Sequence, residues 1–546
     1  MGPEARIDDK TRADMEARGI DVSLSEKILN AYNRGEYDRF TQVEVSGVPQ
    51  VDGESIIDFS NSPHLSLSVS DARERLATKL PGTVVDAALR CGTTDGTEFR
   101  ADASALTGIG LLLLPTVSYG ILNGGSASSY ADTHRNRGFS APLFELLADE
   151  FTELAAVASD MPKGVAPAYV NHDRSHGGSF LELKMRNTLI SILRSRAFYR
   201  KMGVSVEEAA PEALTPIFQM SSDKTTAPLA EAYARYSDSP LLRDLVALTG
   251  VNAAAVEDAV QPLLSAFTHS EEGRPKRVFT NAHGNPGETL PMPGGHGQCF
   301  AVLADIFRSL SAAGKRFITI GNVDNLGYLV DPREIAYLAL TGRSAGFDFS
   351  FRTPVDVKGG ILVRDQSGHL NCADIGPAIS REEVDAIGNQ GRPVLFNTAA
   401  GVFDLDFLVA NLDRIIADLP VRFSDQNKDA GRYSQAEQVT WEVLGMLDDL
   451  LVFSVRKSER FLAAKLLLET LMTSGLGLDD PAYPTSDDPV HDLKATAQQL
   501  NDGLVSLLQH QYAMDDRDGA WFPRPAGEIG AAVEQEVAGL VPKGGA

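Results

Sequence analysis

Cysteine is scarce. Cys91, Cys299 and Cys372 are the three in 546 residues, far apart and in no CxxC pair. That excludes a disulfide framework and a cysteine-built zinc site, and fits a reducing compartment. Basic charge is short as well: Lys and Arg number 50 against 74 Asp and Glu, a formal net charge of −24. Such a field does not draw nucleic acid or an anionic lipid surface. It still permits a phosphorylated small molecule in a local pocket of loop amides, a few cations and a metal. Long apolar runs are missing too. The greasiest stretch, Ile109 to Leu114, stops at Pro115, well short of the ~18 apolar residues of a membrane helix. Met1 to Asp21 is dense in charge, with no apolar segment of the secretory-signal kind. The expectation is a soluble cytoplasmic protein. Neither an internal repeat nor a low-complexity tract is visible.

What is present is ordinary globular material, 43% apolar and 23% charged. Three regions are expected. Residues 1–105 read as polar and mostly helical. Residues 106–420 alternate short β-prone runs, such as Val117–Leu122, Leu214–Met220 and Arg316–Ile320, with longer helical patterns. Residues 421–546 read as mostly helical, through Gln435–Leu450, Glu459–Met472 and Asp492–Tyr512. Val165–Val170 is read as a strand and Asp223–Phe267 as a helical insertion. The alternation predicts an α/β fold: a Rossmann-like mixed, mostly parallel sheet flanked by helices, with helical N- and C-terminal regions. Ligands of such sheets bind beyond the carboxyl ends of the strands.

Four segments at such positions could carry chemistry. Asn123-Gly124-Gly125 follows the run Val117–Leu122; paired glycines bring backbone N–H groups close to a ligand, most often phosphate. The segment is neither a P-loop nor GxGxxG, and Gly124-Gly125-Ser126-Ala127 misses the GxSxG nucleophile elbow by its last residue, Ser128. Gly294-Gly295-His296-Gly297 exposes a histidine at a helix start, suited to a base, sugar or metal. Asp324, in Asn322-Val323-Asp324-Asn325, would offer a hard cation an oxygen ligand at a strand end. Lys358, before Gly359-Gly360, sets a point charge beside close-approach backbone. Each segment read singly is also an ordinary turn.

In combination they resemble the UTP–glucose-1-phosphate uridylyltransferases, the UDP-sugar pyrophosphorylases. The family's LNGG, FLDL, Met-Asn-Ser-like, PGHG, SDNLG, DVKGG, FNT and RF…K elements have counterparts here in the same order. These are Leu122–Gly125, Phe180-Leu181-Glu182-Leu183, Met220-Ser221-Ser222, Gly294–Gly297, Val323–Gly327, Asp356–Gly360, Phe396-Asn397-Thr398 and Arg460-Phe461…Lys465. The resemblance implies a nucleotidyltransferase domain over 106–420. It implies a reaction between UTP and a sugar 1-phosphate, glucose 1-phosphate by family default, with Mg²⁺ as cofactor. By the same resemblance, Asn123, Gly124, Gly125, Met220 and Gly295 bind the nucleotide. His296, Asn325 and Asn397 bind the sugar, Asp324 holds the metal, and Lys358 and Lys465 act on the phosphates.

Two departures stand out. The family loop ends in a Pro-Lys whose lysine meets the triphosphate. Here the loop reads Ser126-Ala127-Ser128-Ser129-Tyr130 and no Pro-Lys follows it, so Arg135 or Arg137 is expected to replace that cation. The tail lacks the hexapeptide texture of the β-helix that ends eukaryotic members, so oligomeric state does not carry over. Two other readings compete: a non-catalytic nucleotide-sugar binding protein, and a serine hydrolase built on Ser126.

Overall fold

The computed structural model describes residues 7–542 apart from 41, 126–129, 160, 210–216, 354–355, 357–358 and 489–491. Its centre is an eleven-stranded mixed sheet. In chain order the strands are β1 (Val45–Gly47), β2 (Ile56–Asp58), β3 (Val117–Leu122), β4 (Ile217–Ser222), β5 (Val256–Gln261), β6 (Phe317–Asn322), β7 (Ala345–Phe351), β8 (Gly360–Asp365), β9 (Leu370–Asp374), β10 (Leu395–Asp404) and β11 (Leu450–Val455). Across the sheet they run β2-β11-β7-β10-β6-β3-β4-β5, with β1, β8 and β9 branching from β10 through β8. Along that path neighbours are parallel except around β10, which is antiparallel to both β7 and β6, and the pairs of the branch are antiparallel.

The strands are apolar on both faces because helices cover both. Along β11, Leu450 and Val452 face one core while Leu451, Phe453 and Val455 face the other. The larger core holds α1 (Ala103–Leu113), α2 (Phe180–Met202) and α4 (Pro332–Thr341). The second holds α3 (Ala304–Ala312) and α5 (Leu405–Asp418). Helix α2 starts at a reciprocal cap between Ser179 and Glu182 and stops at left-handed Gly203. Glu182 of the Phe180–Leu183 segment thus serves as a cap, and Leu181 and Leu183 are core. Among the described residues no helix is long and apolar enough to cross a membrane.

Several local expectations change. The N-terminal region contributes β2, at one edge of the sheet, as well as helices. Asp223–Phe267 is helical only over Asp223–Tyr236 and Arg243–Thr249, and then supplies β5 at the opposite edge. Gln435–Leu450 is not a helix: it completes a hairpin of Arg422–Lys428 with Gly431–Glu437, passes a short 3₁₀ turn and enters β11. Val165–Val170 follows a 3₁₀ turn and makes only isolated bridges. For the strands that read as helix or loop the physical reason is common. Edge and hairpin strands are exposed on one side, so their sequences, such as Val-Glu-Asp-Ala-Val-Gln in β5, carry little apolar signal.

Candidate functional site

The tips of β3 and β6 lie side by side, Leu122 opposite Asn322, with β4 on the far side of β3. Asn123-Gly124-Gly125 and Val323-Asp324-Asn325 therefore leave the sheet at adjacent carboxyl ends. Asn123 is fully buried. Its N–H donates to Met220 O (2.9 Å), and its Nδ2 donates to Gln219 Oε1 (3.0 Å). Gly124 O accepts from Ser222 Oγ (2.9 Å). Gly125 O accepts the backbone N–H of Lys163 (3.2 Å).

That last bond exposes a residue missed by the motif reading. Pro162-Lys163 is a Pro-Lys pair that follows the glycine loop only after the intervening segment 126–161. The described part of this excursion includes helices Thr133–Phe139, Ala141–Leu146 and Ala148–Ala158. It forms a separate core with residues 464–497, where Tyr130 O accepts from Leu467 N (3.0 Å). Lys163 Nζ donates to Asp324 Oδ2 at 2.6 Å and to Ala464 O, and sits over the Tyr130 ring. Arg135 is exposed outside the cavity lining, and Arg137 pairs with Glu145. The expected replacement cations are thus corrected to Lys163. A contiguous search cannot see it; a search for Pro-Lys at the end of a helical interruption could.

Asp324 borders a cavity of about 380 Å³ whose wall also includes His296, Asn325, Gly359, Gly360, Asn397 and Lys465. Three of these contribute in different ways. His296 is held by the segment after Gln438. Its Nδ1 accepts the N–H of Thr440 (3.1 Å), and the Thr440 hydroxyl donates to His296 O (2.9 Å). The ring is therefore neutral with its proton on Nε2. Burial, aided by the charge of Lys465, lowers its pKa to about 4. Gly295 makes this approach possible. It has φ +81°, and a Cβ there would lie 2.3 Å from Gln438 O. Asn397 is on the first part of β10, which starts at the ligand edge because that strand runs backwards. Its Oδ1 accepts from Ala399 N (2.9 Å), and Ala399 is left-handed (φ +55°), in a bulge that breaks the register with β7.

Asn325, expected at the sugar, lines the cavity and uses its side chain as a clamp. Its Oδ1 accepts from Gly327 N and Leu462 N (both 3.0 Å), and its Nδ2 donates to Arg460 O (3.0 Å). These bonds tie the strand-end loop to the segment that delivers Lys465. Arg460 is itself anchored on Asp348 (2.7 Å) and Glu334 (2.9 Å). Met220 is likewise a core side chain, packed on the α3 face of the sheet. Asp356 anchors its turn, accepting from Lys457 Nζ (2.6 Å) and Thr353 N (2.9 Å). Lys358 and Ser126 lie outside the described residues.

Among the described residues no group of three or more His, Cys, Asp or Glu could hold an ion. Mg²⁺ needs no such cage: it is commonly held by one or two carboxylates, with substrate phosphates and water completing an octahedron. Asp324 fits that pattern.

The family model of UTP–glucose-1-phosphate uridylyltransferase matches residues 277–475. The probable UTP–glucose-1-phosphate uridylyltransferase of Schizosaccharomyces pombe is 34% identical over 108 residues, 19% of this chain and 21% of that protein. The UTP–glucose-1-phosphate uridylyltransferase of Solanum tuberosum is 25% identical over 217 residues, 38% and 45% of the two chains. The chain thus spans less than half the length of either relative. The solved uridine diphosphate N-acetylglucosamine pyrophosphorylase of Trypanosoma brucei superposes with a TM-score of 0.54 at 15% identity, over 96% of this chain and 85% of that one. The UDP-glucose phosphorylase of the same organism gives 0.50 at 17% identity, over 88% and 80%. These two likenesses carry the fold. With the family model over residues 277–475 and the curated relatives, they bear out the resemblance read in the motifs: the chain is similar to the UDP-sugar pyrophosphorylases in fold and in the sequence of its central and later parts.

Proposed function

We propose that this chain is a cytoplasmic uridylyltransferase that converts UTP and a sugar 1-phosphate, glucose 1-phosphate, into UDP-sugar and pyrophosphate. The observation that carries the reading is the meeting of Lys163, Asp324, His296, Asn397 and Lys465 at the carboxyl ends of β3 and β6, around or beside one cavity.

In this reaction a phosphate oxygen of the sugar 1-phosphate attacks the α-phosphorus of UTP. A new P–O bond forms as the bond to pyrophosphate breaks, and pyrophosphate departs with the electron pair. The attacking oxygen is already anionic at neutral pH, so no general base is needed. Catalysis is alignment plus charge neutralisation. Two unit charges 4 Å apart interact by about 4 kcal/mol at an effective dielectric near 20, so two polyanions meet only where cations are fixed. Lys163, paired with Asp324, and Lys465, on the same cavity wall as Asp324, supply that charge, with Lys358 a third source. Gly124 and Gly125 receive the triphosphate, Gly295 flanks the nucleotide, and the Nε2–H of His296 and the amide of Asn397 face the sugar. Asp324 would hold Mg²⁺ together with phosphate oxygens; when bound, the ion offsets negative charge on the phosphates. The departure that favoured a merely binding protein was the missing lysine, and Lys163 fills that role.

Pyrophosphate release decides the matter. UTP with glucose 1-phosphate and Mg²⁺ should be turned over faster than any other pairing in a panel that includes galactose 1-phosphate, N-acetylglucosamine 1-phosphate and the other nucleoside triphosphates. Asp324→Asn should abolish the Mg²⁺-dependent rate while the protein stays folded. Near-parent activity in that variant removes the metal assignment, and no release from any pair removes the enzyme.

A further inference from the structure

Against the strand-end loop, outside the cavity lining, lies a lysine that no motif accounts for. Lys184 is in the first turns of α2 and has no exposed surface. Its Nζ donates to Asn325 O (2.8 Å), Tyr328 O (3.2 Å) and the Tyr119 hydroxyl (3.3 Å). It also lies against the rings of Tyr119 and Tyr328, which stack 4.9 Å apart. No ion pair with a carboxylate is formed by it among the described residues. Burial pushes its pKa down to about 7, and the Asp324 charge offsets part of that shift.

The carbonyls of the loop point into a bed of donors. Leu326 O accepts from Tyr512 Oη (2.7 Å) and Tyr328 O from Tyr119 Oη (2.6 Å), while Tyr328 Oη donates to Gly120 O (2.6 Å). Three carbonyls facing one way leave a local negative pole. A neutral donor or an apolar side chain would fill the same space without the cost of burying an ammonium. What the ammonium adds is stiffness, since it binds two carbonyls of one turn at once. When protonated it also adds positive charge near Asp324, whose own charge favours that form.

We propose that Lys184 is a positioning residue of uridylyl transfer: its buried ammonium grips the Asn325 and Tyr328 carbonyls and so fixes where Asp324, and with it Lys163, meets the phosphates, without itself touching substrate. The inference rests on the function proposed above. Its logic is geometric. Displacing a reacting group by about 1 Å can cost on the order of 100-fold in rate, whereas ground-state binding, spread over many contacts, is less sensitive.

The test is steady-state pyrophosphate release by the full-length protein. Lys184→Gln keeps N–H donors in the same space without the charge; Lys184→Met removes both. For folded variants, kcat should fall tenfold or more, further in Met than in Gln, with KM for UTP within about threefold of the parent. A folded variant whose kcat stays within about twofold, or whose loss lies entirely in KM, overturns the proposal. Should neither fold, Tyr512→Phe removes one hydroxyl from the same turn and is read by the same split: a fall in kcat at constant KM supports the proposal, and unchanged kcat overturns it. Failure of the underlying reading looks different, because then the parent protein itself releases no pyrophosphate.

Discussion

Lys163→Met separates the charge of this lysine from its bulk. In the parent, Nζ is 2.6 Å from Asp324 Oδ2, with the two side chains 11% and 16% exposed, and it also bonds Ala464 O. Two consequences follow. Asp324 loses its partner in a largely dry setting, which costs stability of about 3 kcal/mol, the lower end for breaking a buried pair because both groups keep some contact with solvent. The substrates lose a fixed positive charge. A unit charge about 4 Å from a phosphoryl oxygen is worth about 4 kcal/mol at an effective dielectric near 20, and about 1.4 kcal/mol is tenfold in rate. Partial compensation by Lys465 and Mg²⁺ leaves an expected drop in kcat/KM of about 100- to 1,000-fold. Pyrophosphate release measured below KM reads this directly, and thermal unfolding reads the stability term. Lys163→Arg keeps the charge and should recover part of the rate. Lys163→Met activity within threefold of the parent would refute the claim that this lysine faces the phosphates.

Two further outcomes are expected. His296 is held neutral, with its pKa lowered to about 4. As pH falls below about 6.5 the unfolded chain takes up a proton that the folded one refuses, so stability drops by up to about 3 kcal/mol between there and pH 4. Melting curves of the parent and of His296→Gln should diverge over that window, and parallel curves would contradict the neutral tautomer. Gly295→Ala combines a left-handed φ with a Cβ 2.3 Å from Gln438 O, and should cost several times the roughly 1 kcal/mol expected of the same change at Gly53. Gly53 has φ +76° but no atom within 4 Å of its would-be Cβ, so equal losses in urea unfolding would show that the contact is relieved.

The parts of the site legible in the sequence were those written locally. An apolar run of about six residues followed by Asn, Gly or Asp announces a buried parallel strand and its tip, which marks Asn123–Gly125 and Asp324, while Gly295-His296 stands out as a histidine among glycines at a helix start. Features that depend on distant partners were not legible. Lys163 belongs to the same grip as Gly125, yet helices intervene in the chain. The Asn325 side chain has the chemistry of a sugar ligand, but residues 460–462 have claimed it. Met220 sits on a strand next to the Asn123–Gly125 tip, and its side chain turns into the core. The sheet edges, β2 and β5, carry too few apolar residues to be told from loops or helices, whereas the middle of the sheet was plain.

The backbone bond from Lys163 to Gly125 works as a drawstring. Because the glycine loop and Lys163 are tied where the intervening chain departs and returns, its length is nearly free: doubling a closed loop costs only about 0.6 kcal/mol. This is a natural port for splicing, where one appendage can be exchanged for another while the bond between the two ends stays intact. The bill falls due elsewhere, on the flank: trimming the excursion uncovers Leu467, Leu468 and Leu471, so a shortened variant would have to repaint that patch with polar side chains to stay in solution.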